Sequence, residues 1–405
     1  MRLSRKIFVN ISFFYTLLVL AIAYSMSSPI LIEISKKTGS SIGSMGYIFS
    51  FYFAGFILGS YLSSTLVKFF RRKKLLLFFT FLLSASVFSL FFLMNYTYLI
   101  SAFFLIGLSG GFIESQVSIL MIEINKKNEA LFVNISQIFF GIGASIGPLL
   151  PVLGIRAGID WKYSYLVAAA LCLINFIYLL FIDISDVDSD ITLVQKRAGS
   201  LLMPVKLKNK SVFILLIFMM FFYVCAETGL ATWIPTFLRL DKFFTEVLAG
   251  QVLSFFWYST IVGRILIGLL TKKIKILNLL TIITALTILF IISGVYLENN
   301  ILIIISFILV GLFLAGIWPL IVIMGGFKYP NKRNFVVSVI ILFGGVGGLT
   351  APWLLGFILN RFNLFIAMNV VYVFLFFALV IIAVLSFLEW KNFAETGELL
   401  QDKNS

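Results

Sequence analysis

Gly141-Ile142-Gly143-Ala144-Ser145-Ile146-Gly147-Pro148 returns 204 residues later as Gly345-Val346-Gly347-Gly348-Leu349-Thr350-Ala351-Pro352. Both stretches read Gly-x-Gly, four further residues, then proline. Two other pairs keep the same offset of 204: Gly59 and Lys68 with Gly263 and Lys272, and Gly107-Leu108 with Gly311-Leu312. Glycines recur at helix contacts because they let backbones approach, but recurrence alone would not hold one register across three pairs of segments. The chain therefore reads as a duplication.

Each matched segment sits in an apolar run long enough to cross roughly 30 Å of hydrocarbon as a helix. Hydrophobic residues make up 61% of the 405 residues and charged residues 12%, too few charges to cover a water-facing surface. Lipid offers backbone groups no partners, so the runs must be helical. We read twelve transmembrane spans, numbered in chain order: 7–34, 43–67, 75–94, 98–123, 131–155, 163–182, 211–238, 246–270, 276–296, 300–327, 334–358 and 363–390. The first run is too long for a removable signal peptide and no small-residue cleavage site follows it. The fold class is all-α: residues 1–182 form one six-helix bundle and 211–390 a second. An acidic then basic cytoplasmic linker, 183–210, joins them, and 391–405 form a tail. Six spans per copy give both copies the same orientation, a parallel repeat with the site expected between the halves.

With the N-terminus inside, 23 of the 31 Lys and Arg residues fall on the cytoplasmic side, seven outside, and Arg264 within a span. That bias follows the positive-inside rule and places both termini in the cytoplasm of a multi-pass cell-membrane protein. It also explains the net charge of +14 without nucleic acid, which would need one basic face with readout groups. Cys172 and Cys225 lie within apolar runs, and no disulfide is expected. The chain has no histidine, which removes a usual metal ligand and a common proton relay. No phosphate-binding loop, Ser-His-Asp set or Cys/His cluster is present. No enzyme, metal or cofactor is expected.

Ionisable groups in lipid are costly and mark function, and three fall inside spans: Glu114, Glu227 and Arg264. Glu114 lies near the midplane and could alternate between carrying a proton and accepting a hydroxyl; packing glue is the plainer alternative. Glu227, slightly outward, could be a second carboxyl. Arg264 reads as a cytoplasmic gate, together with Lys68 and Arg71 at the matching end of span 2. Asn134 and Gln137 share a helix face, and amides offer both donor and acceptor; Gln251 is a further amide. Tyr24, Trp233, Trp257 and Trp318 could stack on an apolar ligand face or simply pack in the bundle. Trp318 gains interest as the repeat counterpart of Glu114.

Several of these stretches resemble the fucose–proton symporter branch of the major facilitator superfamily. They are the basic turn Leu66-Val67-Lys68-Phe69-Phe70-Arg71-Arg72-Lys73-Lys74, Gly110-Gly111-Phe112-Ile113-Glu114, and Asn134 and Gln137 before Phe140-Gly141 and Gly143-Ala144. Tyr223-Val224-Cys225-Ala226-Glu227 with Trp233, Gly263-Arg264 with Gly268, and Gly311-Leu312-Phe313 with Pro319 complete the set. One departure stands out. The symporters of that branch place an aspartate in the second half of span 1, where this chain has Tyr24-Ser25-Met26-Ser27-Ser28-Pro29. Glu33 comes several residues later, near the outer interface.

The resemblance implies a secondary transporter that moves a sugar or similar polar solute by alternating access; without the span 1 aspartate its two-carboxylate coupling cannot be carried over whole, and proton coupling is expected through the membrane carboxyls Glu114 and Glu227. Tyr24, Ser27, Ser28, Asn134, Gln137, Glu227, Trp233, Gln251 and Trp318 would then face substrate. The partners expected are a small-molecule substrate, protons and membrane lipid, with the chain acting as a monomer in the cell inner membrane. Two alternatives remain open: a proton-antiport exporter of hydrophobic drugs, and a non-transporting receptor, although the longest loop leaves little room for a sensory domain.

Overall fold

The computed structural model describes residues 3–92, 95–126, 128–182 and 210–396, and these form helices joined by short connections, with no strand among the described residues. Among them, twelve spans are long and apolar enough to cross a bilayer: Lys6–Thr38, Gly43–Leu66, Arg72–Phe92, Tyr96–Ile124, Leu131–Arg156, Tyr163–Phe181, Lys210–Leu240, Glu246–Leu270, Ile276–Tyr296, Asn300–Lys328, Phe335–Arg361 and Leu364–Lys391. The numbering of spans carries over from the sequence. Residues 183–209 of the expected linker and 397–405 of the expected tail lie outside the described residues, while the helix of span 12 continues through Thr396. Cys172 and Cys225 are buried, free thiols.

Spans 1 and 12 begin and end on one side of the bundle, here called the terminal face. Helix ends at the opposite face are set by local chemistry. The side chains of Asn95, Thr245 and Asn299 accept hydrogen bonds from the first backbone N–H groups of spans 4, 8 and 10, donors that a helix cannot satisfy itself. Gly39 ends span 1 with φ at 65°, a left-handed cap that favours glycine. Three spans are interrupted next to a proline, which withdraws a backbone donor. Span 1 passes through a short turn at Ser28–Ile30 around Pro29, span 5 breaks at Gly147-Pro148, and span 10 breaks at Ala315-Gly316, just before Pro319.

The duplication has a packing cause. A side chain on Gly59 would strike the carbonyl of Leu108, and one on Gly263 would strike the carbonyl of Leu312, the same contact at the same offset. Gly107 meets the backbone of Tyr52 and Gly311 the backbone of Phe256, again a matched pair. Spans 2 and 4, and spans 8 and 10, are thus pressed backbone to backbone, which glycine permits and any Cβ prevents.

Buried polar contacts hold each half near the terminal face. Asn10 and Asn125 exchange two hydrogen bonds between spans 1 and 4, at 3.2 and 2.9 Å. Arg72, 2% exposed, pairs with Glu123 at 2.5 Å, and Lys328 pairs with Glu389 in the second half.

Contacts between the halves gather at the opposite face. The Ser28 hydroxyl donates to the carbonyls of Ala231 and Thr232, at 2.6 and 2.8 Å. The Gly43 amide donates to the Asn360 side chain at 3.1 Å. Arg239 of span 7 grips both carboxylate oxygens of Glu33 in span 1, at 2.7 and 2.9 Å, and donates to the Pro29 carbonyl at 3.2 Å. Gly46 and Gly356 complete this closure: the first meets the backbone of Pro352, the second that of Gly43. The molecule is sealed at the face away from its termini.

Candidate functional site

Halfway through the bundle, polar side chains from both halves converge. Gly110 lies one turn before Glu114 on the same helix face, and its missing side chain admits Leu20 and the Tyr52 hydroxyl. Glu114 then lies beside Tyr52 and the Gln137 side chain of span 5. Spans 5 and 8 cross at this level. Gly141 accommodates Ile261, and one turn away Arg264 Nη1 donates to the Gln137 carbonyl at 3.3 Å. From span 7, Glu227 accepts a hydrogen bond from the Tyr223 hydroxyl at 2.7 Å. Arg264 lies within electrostatic reach of both Glu114 and Glu227, one carboxyl from each half. Tyr24 of span 1 faces Glu227 and touches the Tyr52 ring at 5.0 Å. Glu114, Gln137, Glu227 and Arg264 are each only partly buried.

The charge arithmetic of this cluster is simple. One cation and two carboxylates leave one negative charge uncompensated in a low-dielectric interior, an expensive state. A single proton on either carboxyl makes the set neutral.

The structure brings together Tyr24, Glu114, Gln137, Glu227 and Arg264, and separates them from other expected site residues. Arg264, expected as a cytoplasmic gate, stands at the carboxyls, because a two-turn offset from the end of span 8 carries it to mid-bundle. Ser27 hydrogen-bonds the Tyr165 hydroxyl at 2.9 Å and Ser28 bonds span 7, so both serve the closed face. Trp233 is fully buried, with Nε1 donating to the Pro352 carbonyl at 3.4 Å; it packs in the same closure. Gln251 follows Gly250, where Val152 packs, away from the cluster. Asn134 is exposed and Trp318 half-buried, and no hydrogen bond or ring contact joins either to the cluster among the described residues. Lys68 and Arg71 are exposed at the terminal face, whereas their neighbour Arg72 is the buried, paired residue. Sequence reasoning missed Tyr52 and the partnership of Tyr223. The four-residue spacing of Tyr223 and Glu227 was a usable signal; Tyr52, amid Phe51, Phe53 and Phe56, offered none. Among the described residues, no group of His, Cys, Asp or Glu is placed to hold a metal ion.

A duplicated twelve-span bundle with an ionisable cluster on its central axis defines a membrane carrier. The sequence profile of the Major Facilitator Superfamily matches residues 13–352, and the chain belongs to that family. It is 27% identical over 375 residues to the glucose/mannose transporter GlcP of Bacillus subtilis (strain 168), covering 89% of each protein. A TsgA homolog of Buchnera aphidicola subsp. Baizongia pistaciae (strain Bp) is 23% identical over 360 residues, covering 87% of this chain and 90% of that protein. Among solved structures, a bacterial homolog of the human lysosomal transporter Spinster, inward-facing and occupied, superposes with a TM-score of 0.77 at 13% identity, covering 95% of this chain and 98% of the other. A point mutant of the nucleoside transporter NupG gives 0.73 at 16% identity, covering 94% and 98%. These structural likenesses speak for the fold.

Proposed function

We propose that this protein moves a hexose or similar polyhydroxylated solute across the cell inner membrane by alternating access, together with a proton. The observation that carries this reading is the convergence of Glu114 of the first half and Glu227 of the second on the neighbourhood of Arg264. Proton uptake makes the cluster neutral and able to reorganise inside lipid; proton release on the other side restores the charged, held arrangement. Tyr24, Tyr52 and the Gln137 amide supply the neutral donors and acceptors that sugar hydroxyls need. The name of the Bacillus relative supports a hexose.

The charge bias supports a terminal face and both termini in the cytoplasm, and on that reading the sealed face is external and the conformation inward-facing. The halves 1–182 and 211–390 rock about the cluster, joined by the cytoplasmic linker 183–210, and the working unit is a monomer. The test is counterflow of labelled glucose and mannose in proteoliposomes, with and without a pH gradient. Uptake that a pH gradient drives uphill supports symport. Uptake indifferent to the gradient removes the proton from the mechanism, and absence of hexose flux alongside export of a lipophilic cation overturns the sugar assignment.

A further inference from the structure

Trp257 of span 8 is 5% exposed, and its Nε1 is shielded from solvent without a hydrogen-bond partner. An indole nitrogen is a donor and nothing else, and nearly all buried polar groups in proteins are paired, so an orphan needs a reason. The other unpaired buried atoms differ in kind. Several are serine or threonine hydroxyls, which rotate. Gln116 and Asn175 each make a hydrogen bond through their other amide atom. Trp257 has one polar atom, locked in direction by its ring, and that atom is unused.

Its position sets it at the cluster. Trp257 lies seven residues before Arg264, two turns along one stripe of span 8. Its ring meets Tyr24 of the other half edge-on, centroids 6.4 Å apart and planes at 74°. The repeat supplies an internal comparison. Phe53, the counterpart of Trp257 at the offset of 204, packs on the same Tyr24 ring at 6.1 Å and 81°. Phenylalanine thus suffices to wedge that tyrosine, and packing alone leaves the indole N–H without a use.

Building on the sugar-carrier reading above, we infer that Trp257 is a specificity-determining residue whose indole N–H donates to one oxygen of the transported sugar. An orphan donor can only be relieved by an acceptor, so the site selects for a hydroxyl or ring oxygen at that point, and the empty carrier holds the unmet donor in reserve. Edge contact with Tyr24 couples the two halves through the same ring, so occupancy is felt on both sides of the axis.

Trp257→Phe removes the N–H and keeps a ring of the kind already accepted at Phe53. In proteoliposomes and detergent, three quantities decide the matter: thermal stability without sugar, apparent KM for glucose, and apparent KM for the series of monodeoxyglucoses. The expected result is sugar-free stability equal to or above wild type, a glucose KM raised about tenfold, and one deoxy sugar for which wild type and variant agree. A variant with unchanged KM overturns the inference. So does a variant destabilised without sugar whose penalty is the same for every deoxy sugar, since that is the mark of a ring needed for packing. Wild-type protein that carries no hexose overturns the proposed function and this inference together; wild-type flux with an indifferent variant overturns this inference alone.

Discussion

The grip of Arg239 on Glu33 ties span 7 to span 1 at the sealed face, and its loss should tilt the carrier toward opening there. The pair is bidentate, with side chains 12% and 19% exposed. Exposed pairs contribute about 0–1 kcal/mol, and removing one partner of a buried pair costs about 3–5 kcal/mol. This mostly buried pair, with an added bond to the Pro29 carbonyl, falls between, at roughly 1.5–3 kcal/mol. Each 1.4 kcal/mol is a factor of ten, so the population open at that face should rise about 10- to 150-fold. Arg239→Gln should exceed Glu33→Gln. The former leaves Glu33 near Glu246 with no cation between them, whereas the latter leaves Arg239 with Glu246, 3.7 Å away. The assay is labelling of Thr232→Cys, in a background lacking Cys172 and Cys225, by an impermeant thiol reagent added at the sealed face. Thr232 is fully buried beneath the closure. The rate should climb by one to two orders of magnitude in Arg239→Gln and fall back when Glu33→Arg is combined with Arg239→Glu. Labelling within twofold of wild type in both single variants refutes the latch.

Three further outcomes are expected. Glu114→Gln mimics the protonated acid, so it should lose pH-driven accumulation while retaining equilibrium exchange of sugar; concentrative uptake at the wild-type level would remove Glu114 from coupling. Arg264→Gln strands two carboxyls without their cation and should abolish uptake, whereas adding Glu227→Gln restores the charge balance and should return measurable exchange; an equally dead double variant argues against the shared counter-ion. Gly263→Ala should lower the melting temperature sharply, because its Cβ meets the Leu312 carbonyl, while Gly268→Ala, with nothing within 4 Å, should be neutral or gain up to about 1 kcal/mol from helix propensity; equal melting temperatures would contradict the backbone seam.

Spans and duplication were legible because they rest on strong, local signals, hydropathy and a fixed offset, and the rarity of charge in lipid singled out the two carboxyls that the structure places near one another. What escaped was partner choice across the interface. Trp233 and Ser28 carry the residue types of a binding site, and in one conformation they are consumed by the seal. Arg264 looked like a cytoplasmic gate from its distance to Lys272, since linear position along a helix says nothing of what a long guanidinium reaches toward. Arg72 and Lys68 differ by one turn and the break after span 2, which buries one and exposes the other.

The seal between spans 2 and 11 has a further meaning. Where Gly43 and Gly46 meet Gly356 and Pro352, backbone packs on backbone with the Asn360 and Trp233 side chains fitted beside it, a joint whose closeness should hinder a chain of water molecules along which protons could hop. Under the proton symport proposed above, the carrier must not short-circuit the gradient while waiting for cargo. The close fit makes this face an electrical insulator: vesicles holding the protein without sugar should keep an imposed pH difference as long as empty ones, as a trapped pH-sensitive dye would report, and a fast collapse would show the joint to be wet.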